Sequence, residues 1–199
     1  MQLRNKYWII KKAFPKHLCN NIISYGLQKK ISKGVIVGNE FNKGIDNSVR
    51  NSNVIWLDEH WLYLKLAKIV SYVNYAANWN FEISTPEVVQ FTIYDENMHY
   101  DWHEDAFEEP YGDNVDNKSI IGKTRKISLS LLLNDPKKYK GGEFEVDFGN
   151  RAKPVKTCSE LSDQGDCVVF PSDLLHRVRP VSNGIRYSLV LWTLGKPFK

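Results

Sequence analysis

Cysteine is scarce in this chain, and no long block of like charge occurs. The three cysteines, Cys19, Cys158 and Cys167, are odd in number and show no C-x-x-C spacing. This pattern argues against a disulfide framework or a zinc knuckle and favours reduced structural thiols. The net charge is +4 without a run of five or six like charges, so nucleic acid is permitted as a partner but not indicated.

Long apolar runs are also missing. No stretch approaches the roughly 18 apolar residues needed to span a bilayer, and no charged-then-apolar leader opens the sequence. We therefore expect a cytoplasmic protein with no membrane contact. The 199 residues are enough for one domain that buries about 70% of its unfolded surface, so we expect residues 1–199 to form a single domain.

The first part of the chain is predicted to be mainly helical. "KYWIIKKAF" is typical of a strand, and Pro15 then begins a helix. A longer helix begins near Asp58, a candidate N-cap. Its apolar stripe consists of Leu62, Leu66, Ile69, Val70 and Val73. Residues 32–53 between the helices are rich in Gly and Asn, which predicts a loop.

From residue 87 onward the pattern is that of β structure. Short β-rich runs such as "EVVQFTIY", "RKISLSLLLN" and "IRYSLVLWTL" are separated by Gly, Pro, Asn and Asp, as in a barrel or sandwich. The sequence therefore predicts an α+β fold. Residues 1–86 are expected to form a helical support region that packs on one sheet of an antiparallel β core over residues 87–195.

The stretch "HYDWHED" contains a candidate pair of metal ligands. Residues i and i+2 of a strand point to the same face, so His103 and Asp105 can converge on one atom while Glu104 points away. The tripeptide alone has little specificity, because five histidines and many acidic residues produce His-x-Asp by chance.

A second candidate group lies in "FPSDLLHRVRPVSNGIRYSLVLW". If "SNG" is the turn of a hairpin, the even-numbered residues of both strands share one face, which gathers His176, Arg186 and Ser188; a bulge would break this parity. A buried arginine needs an anion, and the hairpin places no acidic residue on that face. Arg186 therefore pairs either with a ligand or with a distant carboxylate.

Taken together, these residues resemble a known family. His103, Asp105 and His176 supply the two imidazoles and one carboxylate of the non-haem Fe(II) facial triad, and Arg186 follows His176 by ten residues. The chain resembles the Fe(II)- and 2-oxoglutarate-dependent dioxygenases, and within them the prolyl 4-hydroxylase-like branch. The resemblance covers about residues 87–195, and its motifs are "YDENMHYDWHED", "NDPKKYKGGEFEV", "GDCVVFPSDLLHRVRPV" and "RYS".

The resemblance implies a double-stranded β-helix, related to jelly rolls and cupins, and an enzyme. Its implied catalytic and Fe(II)-binding residues are His103, Asp105 and His176. Its implied 2-oxoglutarate-binding residues are Tyr94, Arg186 and Ser188. Its implied substrate-binding residues are Arg125, Tyr100 and Trp192. The implied reaction uses O2 to hydroxylate prolyl residues of a peptide or protein, with decarboxylation of 2-oxoglutarate to succinate and CO2; ascorbate is an open candidate cofactor.

Some points stay open at the level of sequence. Leu132 stands where certain relatives carry a tyrosine that helps to hold 2-oxoglutarate, and Ser128 and Ser130 share its face. Nucleic-acid demethylases of the family usually carry a second arginine where this chain has Trp192. A small molecule or nucleic acid as substrate and a non-enzymatic cupin-like binding module are the alternatives. The oligomeric state is undetermined, and residues 106–124 are predicted to form a substrate lid.

Overall fold

The structure is a computed structural model, which describes residues 5–34, 46–149 and 155–198. Its helices are α1 (Lys16–Gly26) and α2 (His60–Ala76), with short 3-10 helices at Lys118–Ile120 and Pro136–Lys138. Its strands are β1 (Trp8–Ile10), β2 (Ser32–Lys33), β3 (Arg50–Asn51), β4 (Asn53–Leu57), β5 (Val89–Tyr94), β6 (His99–His103), β7 (Thr124–Leu132), β8 (Lys140–Gly141), β9 (Phe144–Asp147), β10 (Val155–Thr157), β11 (Cys167–Pro171), β12 (Leu175–Val178), β13 (Val181–Asn183) and β14 (Arg186–Gly195).

The strands form two facing antiparallel sheets. The major sheet has the order β1-β11-β7-β14-β5-β4-β2, and the minor sheet has the order β10-β9-β12-β6-β3. Strands β8 and β13 form a separate ribbon. Between the two sheets lies a cluster to which Tyr94 and Phe170 contribute from the major sheet and Phe144 and Val146 from the minor sheet. The space between the sheets thus holds an apolar cluster and, beside it, a cavity lined by residues of both sheets.

The opposite face of the major sheet carries the helices. Alternation along β7 places Leu129 and Leu131 in the core cluster shared with the helices, while Ser128 and Ser130 point between the sheets. The predicted stripe of α2 is confirmed: Leu62, Leu66, Val70 and Val73 are buried and Ile69 is partly buried against the same cluster. The expected packing of helices on one sheet is therefore observed.

The predicted hairpin between β12 and β14 is wrong. Strand β12 pairs with β6 and β9 in the minor sheet, whereas β14 pairs with β5 and β7 in the major sheet. The segment between them crosses from one sheet to the other, since Val181 donates to the carbonyl of Met98 and β13 pairs with β8. His176 and Arg186 still face the same interior, but from opposite sheets.

The prediction of an uninterrupted loop over residues 32–53 is wrong at both ends. Strands β2 and β3 and the first residue of β4 fall within this range, and edge pairing with β4 and β6 satisfies their backbone groups. Residues 35–45 lie outside the described residues. The helix expected near Asp58 begins at His60 with Glu59 as N-cap, because the Asp58 carboxylate instead accepts a hydrogen bond from Tyr63.

The boundary expected at residue 87 is crossed by sheet pairing. Strand β1 pairs with β11, and β4 pairs with β5, so the early part of the chain contributes strands as well as helices. The single domain and its division into 1–86 and 87–195 stay predictions. Within the described ranges, no helix is both long and apolar enough to cross a membrane.

Gly165 is a position where the fold requires glycine. Its φ is +90°, and a Cβ there would overlap the carbonyl oxygen of Phe14, whose N–H in turn donates to the Gly165 carbonyl. We expect Gly165→Ala to lower the free energy of unfolding by about 3 kcal/mol, since the αL conformation and the backbone overlap both add a cost. Urea unfolding measures the loss.

Gly122 supplies the matched control for that substitution. Its φ is +72°, but nothing lies within 4 Å of an added Cβ. Gly122→Ala should therefore cost only the conformational part, about 1 kcal/mol. Equal losses in the two variants would contradict the role given to the contact between Gly165 and Phe14.

Candidate active site

Three potential metal ligands meet between the two sheets. One ligand atom from each of His103, Asp105 and His176 lies within 4.8 Å of the others. His103 ends β6 and stands directly opposite His176 of β12 in the strand register. Asp105 follows β6, where its N–H donates to the carbonyl of Ser172 at 2.9 Å. The bend after β6 thus turns the carboxylate towards the two imidazoles.

Hydrogen bonds to backbone carbonyls fix the tautomers of both histidines. Nδ1 of His103 lies 2.7 Å from the carbonyl oxygen of Asp101, and Nδ1 of His176 lies 2.8 Å from that of Leu174. Since a carbonyl only accepts, each Nδ1 carries the proton and each Nε2 keeps a lone pair. The Nε2 atoms of His103 and His176 lie 3.7 and 3.6 Å from the Asp105 carboxylate oxygens, an arrangement that fits a divalent transition metal.

The electrostatics of the cluster suit metal binding as well. Burial and the neighbouring His176 lower the pKa of His103 to about 3, which keeps its imidazole neutral. Burial raises the pKa of the Asp105 carboxyl, but His176, His103 and Arg125 outweigh that effect and leave it below its usual value. A neutral imidazole and an ionised carboxylate are the forms in which these side chains bind a metal.

Aromatic rings hold the histidines in place. The Tyr100 ring stacks on the His103 ring with centroids 3.4 Å apart, and the Arg50 guanidinium lies 4.5 Å from the centroid of the Tyr100 ring. Phe170 and Phe144 lie 4.6 and 5.4 Å from the His176 ring. Burial raises the pKa of Tyr100 to about 12, so its phenol stays neutral.

Arg186 is a buried cation on the opposite wall of the same cavity. Only 1% of it is exposed, and its Nη1 donates to Ser188 Oγ at 3.0 Å. Within the part of the chain that the structure describes, its Nε and Nη2 have no hydrogen-bond partner. Unpaired buried donors on a charged group are costly. These donors, in a cavity that also holds the His–Asp–His group, fit an anionic ligand that binds beside a metal.

The predicted binding residues lie in two places, the cavity itself and a groove next to it. Tyr94, Tyr100, Ser188 and Trp192 line the same cavity as the His–Asp–His group and Arg186. Arg125 lies next to it, in a groove that also contains Trp56, Phe107 and Trp192. The individual roles assigned to these residues stay predictions.

The neighbours of Leu132 differ in what they can offer a ligand. Ser130 lines the cavity, whereas the Ser128 hydroxyl lies 2.9 Å from that of Ser172. Leu132 lies with Arg186 and Tyr139 beside a second cavity. Burial raises the pKa of the Tyr139 phenol, and the Arg186 guanidinium acts in the opposite direction.

Two residues of the cavity wall were missed by the sequence argument. Arg50 lies on β3, in the stretch predicted as loop, and its Nη2 donates to Gln90 Oε1 at 3.2 Å. Both residues line the cavity. A signal was available for Gln90: in "EVVQFTIY" it shares a strand face with Thr92 and Tyr94, so the polar face of β5 points to the interior. His99 lies near Asn97 and Ser48 carbonyls, outside the His–Asp–His group.

Comparison of sequences identifies relatives over part of the chain. Residues 89–194 match the family model described as the 2OG-Fe(II) oxygenase superfamily. PKHD-type hydroxylases of Teredinibacter turnerae and Aliarcobacter butzleri are 37% and 35% identical over 87 and 88 residues. Each alignment covers 41% of this chain, and 36% and 37% of the respective relatives. The chain thus spans little more than a third of the length of these relatives.

Solved structures resemble the whole described fold. A Pseudomonas putida prolyl-4-hydroxylase has a TM-score of 0.70 at 15% identity, covering 95% of this chain and 92% of that chain. A viral collagen prolyl hydroxylase from Paramecium Bursaria Chlorella virus-1, in a 2OG complex, has a TM-score of 0.65 at 20% identity and 96% and 97% coverage. A Trichoplax adhaerens prolyl hydroxylase, in complex with a hypoxia inducible factor oxygen degradation domain peptide fragment, has a TM-score of 0.68 at 18% identity and 96% and 84% coverage. These likenesses confirm the predicted double-stranded β-helix.

Proposed function

We propose, because the chain belongs to the 2OG-Fe(II) oxygenase superfamily, that it hydroxylates prolyl residues of a peptide or protein substrate. One observation carries this proposal: a cavity between the sheets combines two imidazoles and a carboxylate with a buried, partly unpaired guanidinium. The first group suits Fe(II), and the second suits the distal carboxylate of 2-oxoglutarate.

The residues present fit both groups. His103, Asp105 and His176 would hold Fe(II), and Arg186 with the Ser188 hydroxyl would receive the distal carboxylate of the co-substrate. Fe(II) and 2-oxoglutarate, when bound, reduce O2 so that one oxygen atom enters succinate as CO2 is released and the other becomes the hydroxyl group of the product. The ring centroid of Tyr94 lies 5.4 Å from the Arg186 guanidinium, so Tyr94 would lie beside the bound co-substrate.

The protein's own part in the reaction is orientation and exclusion of water. The Nδ1–H groups of His103 and His176 stay on backbone carbonyls, which directs both Nε2 lone pairs to one point. Phe144, Phe170 and Tyr100 cover the imidazoles with apolar surface, which keeps water away from the reacting atoms. Charge at Arg186 and Asp105 then acts in a medium of low polarity.

The groove beside the cavity supports a peptide as the substrate. Trp192 is 4% exposed, and its buried indole N–H has no acceptor among the described residues. Trp56 is 48% exposed, and its ring centroid lies 6.4 Å from that of Trp192. Tyr100 lines the same groove. The exposed ring of Trp56 suits the apolar ring of proline.

A coupled assay tests the proposal. Purified protein with Fe(II), 2-oxoglutarate, ascorbate and O2 is incubated with a panel of proline-rich peptides, and succinate and peptide mass are measured together. We expect succinate to rise with one peptide class and proline in that class to gain the mass of one oxygen atom. Matched peptides with alanine in place of proline should give only the background of succinate.

Other outcomes of the same assay select the alternatives. Succinate formation that no peptide stimulates would redirect the search to small molecules or nucleic acid. Metal binding without any succinate under all conditions would refute the oxygenase activity and support a binding module.

A further inference from the structure

We propose that Arg125 is a positioning residue: with Glu87 it joins the segment 106–124 to the backbone of Asp105. This inference deepens the proposed function and rests on it for its catalytic meaning. It differs from the substrate-binding role predicted for Arg125 from the sequence.

The edge of the guanidinium is occupied by a carboxylate. Arg125 Nε and Nη2 donate to the two carboxylate oxygens of Glu87 at 2.6 and 2.7 Å, and both side chains are mostly buried, with 9% and 13% exposed. Against the lowering effect of burial, Glu87 raises the pKa of the guanidinium. A bidentate pair of this kind fixes the orientation of the arginine plane.

The remaining nitrogen faces the candidate metal centre. Arg125 Nη1 lies 3.4 Å from the carbonyl oxygen of Asp105. The N–H of Asp105 donates to the carbonyl oxygen of Ser172. The backbone of Asp105 is therefore held at both its N–H and its C=O. Contacts to the backbone of a residue that carries a metal ligand fix the orientation of that ligand and so influence its affinity for the metal.

Two aromatic rings pack against the guanidinium. Its Cζ lies 3.8 Å from the ring centroid of Trp192 and 4.5 Å from that of Phe107, which belongs to the segment 106–124. A second residue of the segment, Tyr111, donates from its hydroxyl to Glu87 at 3.0 Å. The Arg125–Glu87 pair thus holds the segment through Phe107 and Tyr111.

The base of the segment is closed by backbone hydrogen bonds. The Tyr111 N–H donates to the Lys123 carbonyl at 2.9 Å, and the Gly122 N–H donates to the Tyr111 carbonyl at 2.8 Å. Movement of Tyr111 therefore carries the rest of the segment with it. One ion pair consequently controls two things at once, the direction of the Asp105 carboxylate and the placement of the predicted lid.

The test uses Glu87→Gln and Arg125→Gln, each compared with wild type, in two measurements that need no turnover. Calorimetric titration with Ni(II) gives metal affinity, and trypsin cleavage at Lys118 reports the attachment of the segment. We expect each variant to bind Ni(II) about tenfold more weakly and to be cleaved several-fold faster. The double variant should be no worse than either single variant, because the two residues act as a unit.

Three further variants keep the test decisive. Arg125→Lys retains the charge but not the bidentate geometry, so it should recover only part of the affinity for Ni(II). Phe107→Leu leaves the ion pair intact and should accelerate cleavage with unchanged Ni(II) affinity, which also tests the idea if the Arg125 variants fold poorly. Lys196→Gln, which removes a cation 3.7 Å from Glu82 on the surface, is the control and should match wild type.

A role in direct substrate contact gives a different pattern. If Arg125 binds the peptide, both Gln variants keep wild-type Ni(II) affinity and cleavage, and only Arg125→Gln raises the KM for peptide; that result would overturn the proposal. Loss of Ni(II) affinity in a protein that hydroxylates no peptide would instead leave the positioning role intact and reject the proposed substrate.

Discussion

His176→Ala is expected to abolish metal binding and turnover together. His176 is 4% exposed and contributes one of three converging ligand atoms, so its loss leaves Asp105 with a single imidazole neighbour. Removal of a group that merely supports a ligand costs 10- to 100-fold in metal affinity, and loss of a ligand itself should exceed about 100-fold. Anaerobic titration with Fe(II) and then 2-oxoglutarate measures this through the weak visible charge-transfer band of keto-acid chelation.

The chain offers a matched histidine control. His99 lies on β6, the same strand as His103, but its ring nitrogens lie near carbonyl oxygens of Asn97 and Ser48. His99→Ala should therefore keep the band at wild-type concentrations of Fe(II). A band of normal intensity in His176→Ala would remove His176 from the ligand set, and equal loss in both variants would point to unfolding.

Arg186→Gln should separate co-substrate binding from metal binding. Loss of one member of a buried hydrogen-bonded charge pair costs about 2–5 kcal/mol, and each 1.4 kcal/mol is tenfold in affinity. We expect the 2-oxoglutarate concentration for half-saturation to rise about 30- to 4000-fold, while Ni(II) affinity stays unchanged. Ser188→Ala, which removes one hydrogen bond to a charged group, should raise that concentration about 10- to 100-fold.

Arg186→Gln weakens co-substrate binding but should not lower the stability of the ligand-free protein. Arg186 carries two buried nitrogens without partners in the described part of the chain, and an uncompensated buried charge destabilises the fold. Urea unfolding without ligand should therefore show Arg186→Gln to be at least as stable as wild type. A large loss of stability, with 2-oxoglutarate affinity unaltered, would mean that the guanidinium has a structural role only.

The candidate ligand set could be predicted from sequence because its signals are local. Two ligands two residues apart on a strand share a face whatever the rest of the fold does, and the resemblance added the third. The error over β12 and β14 has a physical cause: "SNG" is equally suited to a tight hairpin and to a crossing between sheets. Strand alternation fixes which face a residue uses, but not which strand lies beside it.

The sequence could not show which residues far apart in the chain contact each other. Glu87 and Arg125 are 38 residues apart, and no spacing rule links them, so Arg125 was predicted to face a substrate. Arg50 was missed for a related reason: its neighbours in the sequence are rich in Gly and Asn, whereas in the fold it is buried in contact with Gln90, Ser52 and Tyr100, among others.

The two walls of the cavity belong to different sheets, and this has a mechanical consequence. His103 and His176 stand on β6 and β12, whereas Arg186 stands on β14 of the opposite layer. A dicarboxylate that binds iron at one end and the guanidinium at the other would connect the two sheets, which lie about 10 Å apart. Its binding should slow amide hydrogen exchange in both β12 and β14. A monocarboxylic keto acid of the same affinity for iron should slow exchange in β12 alone.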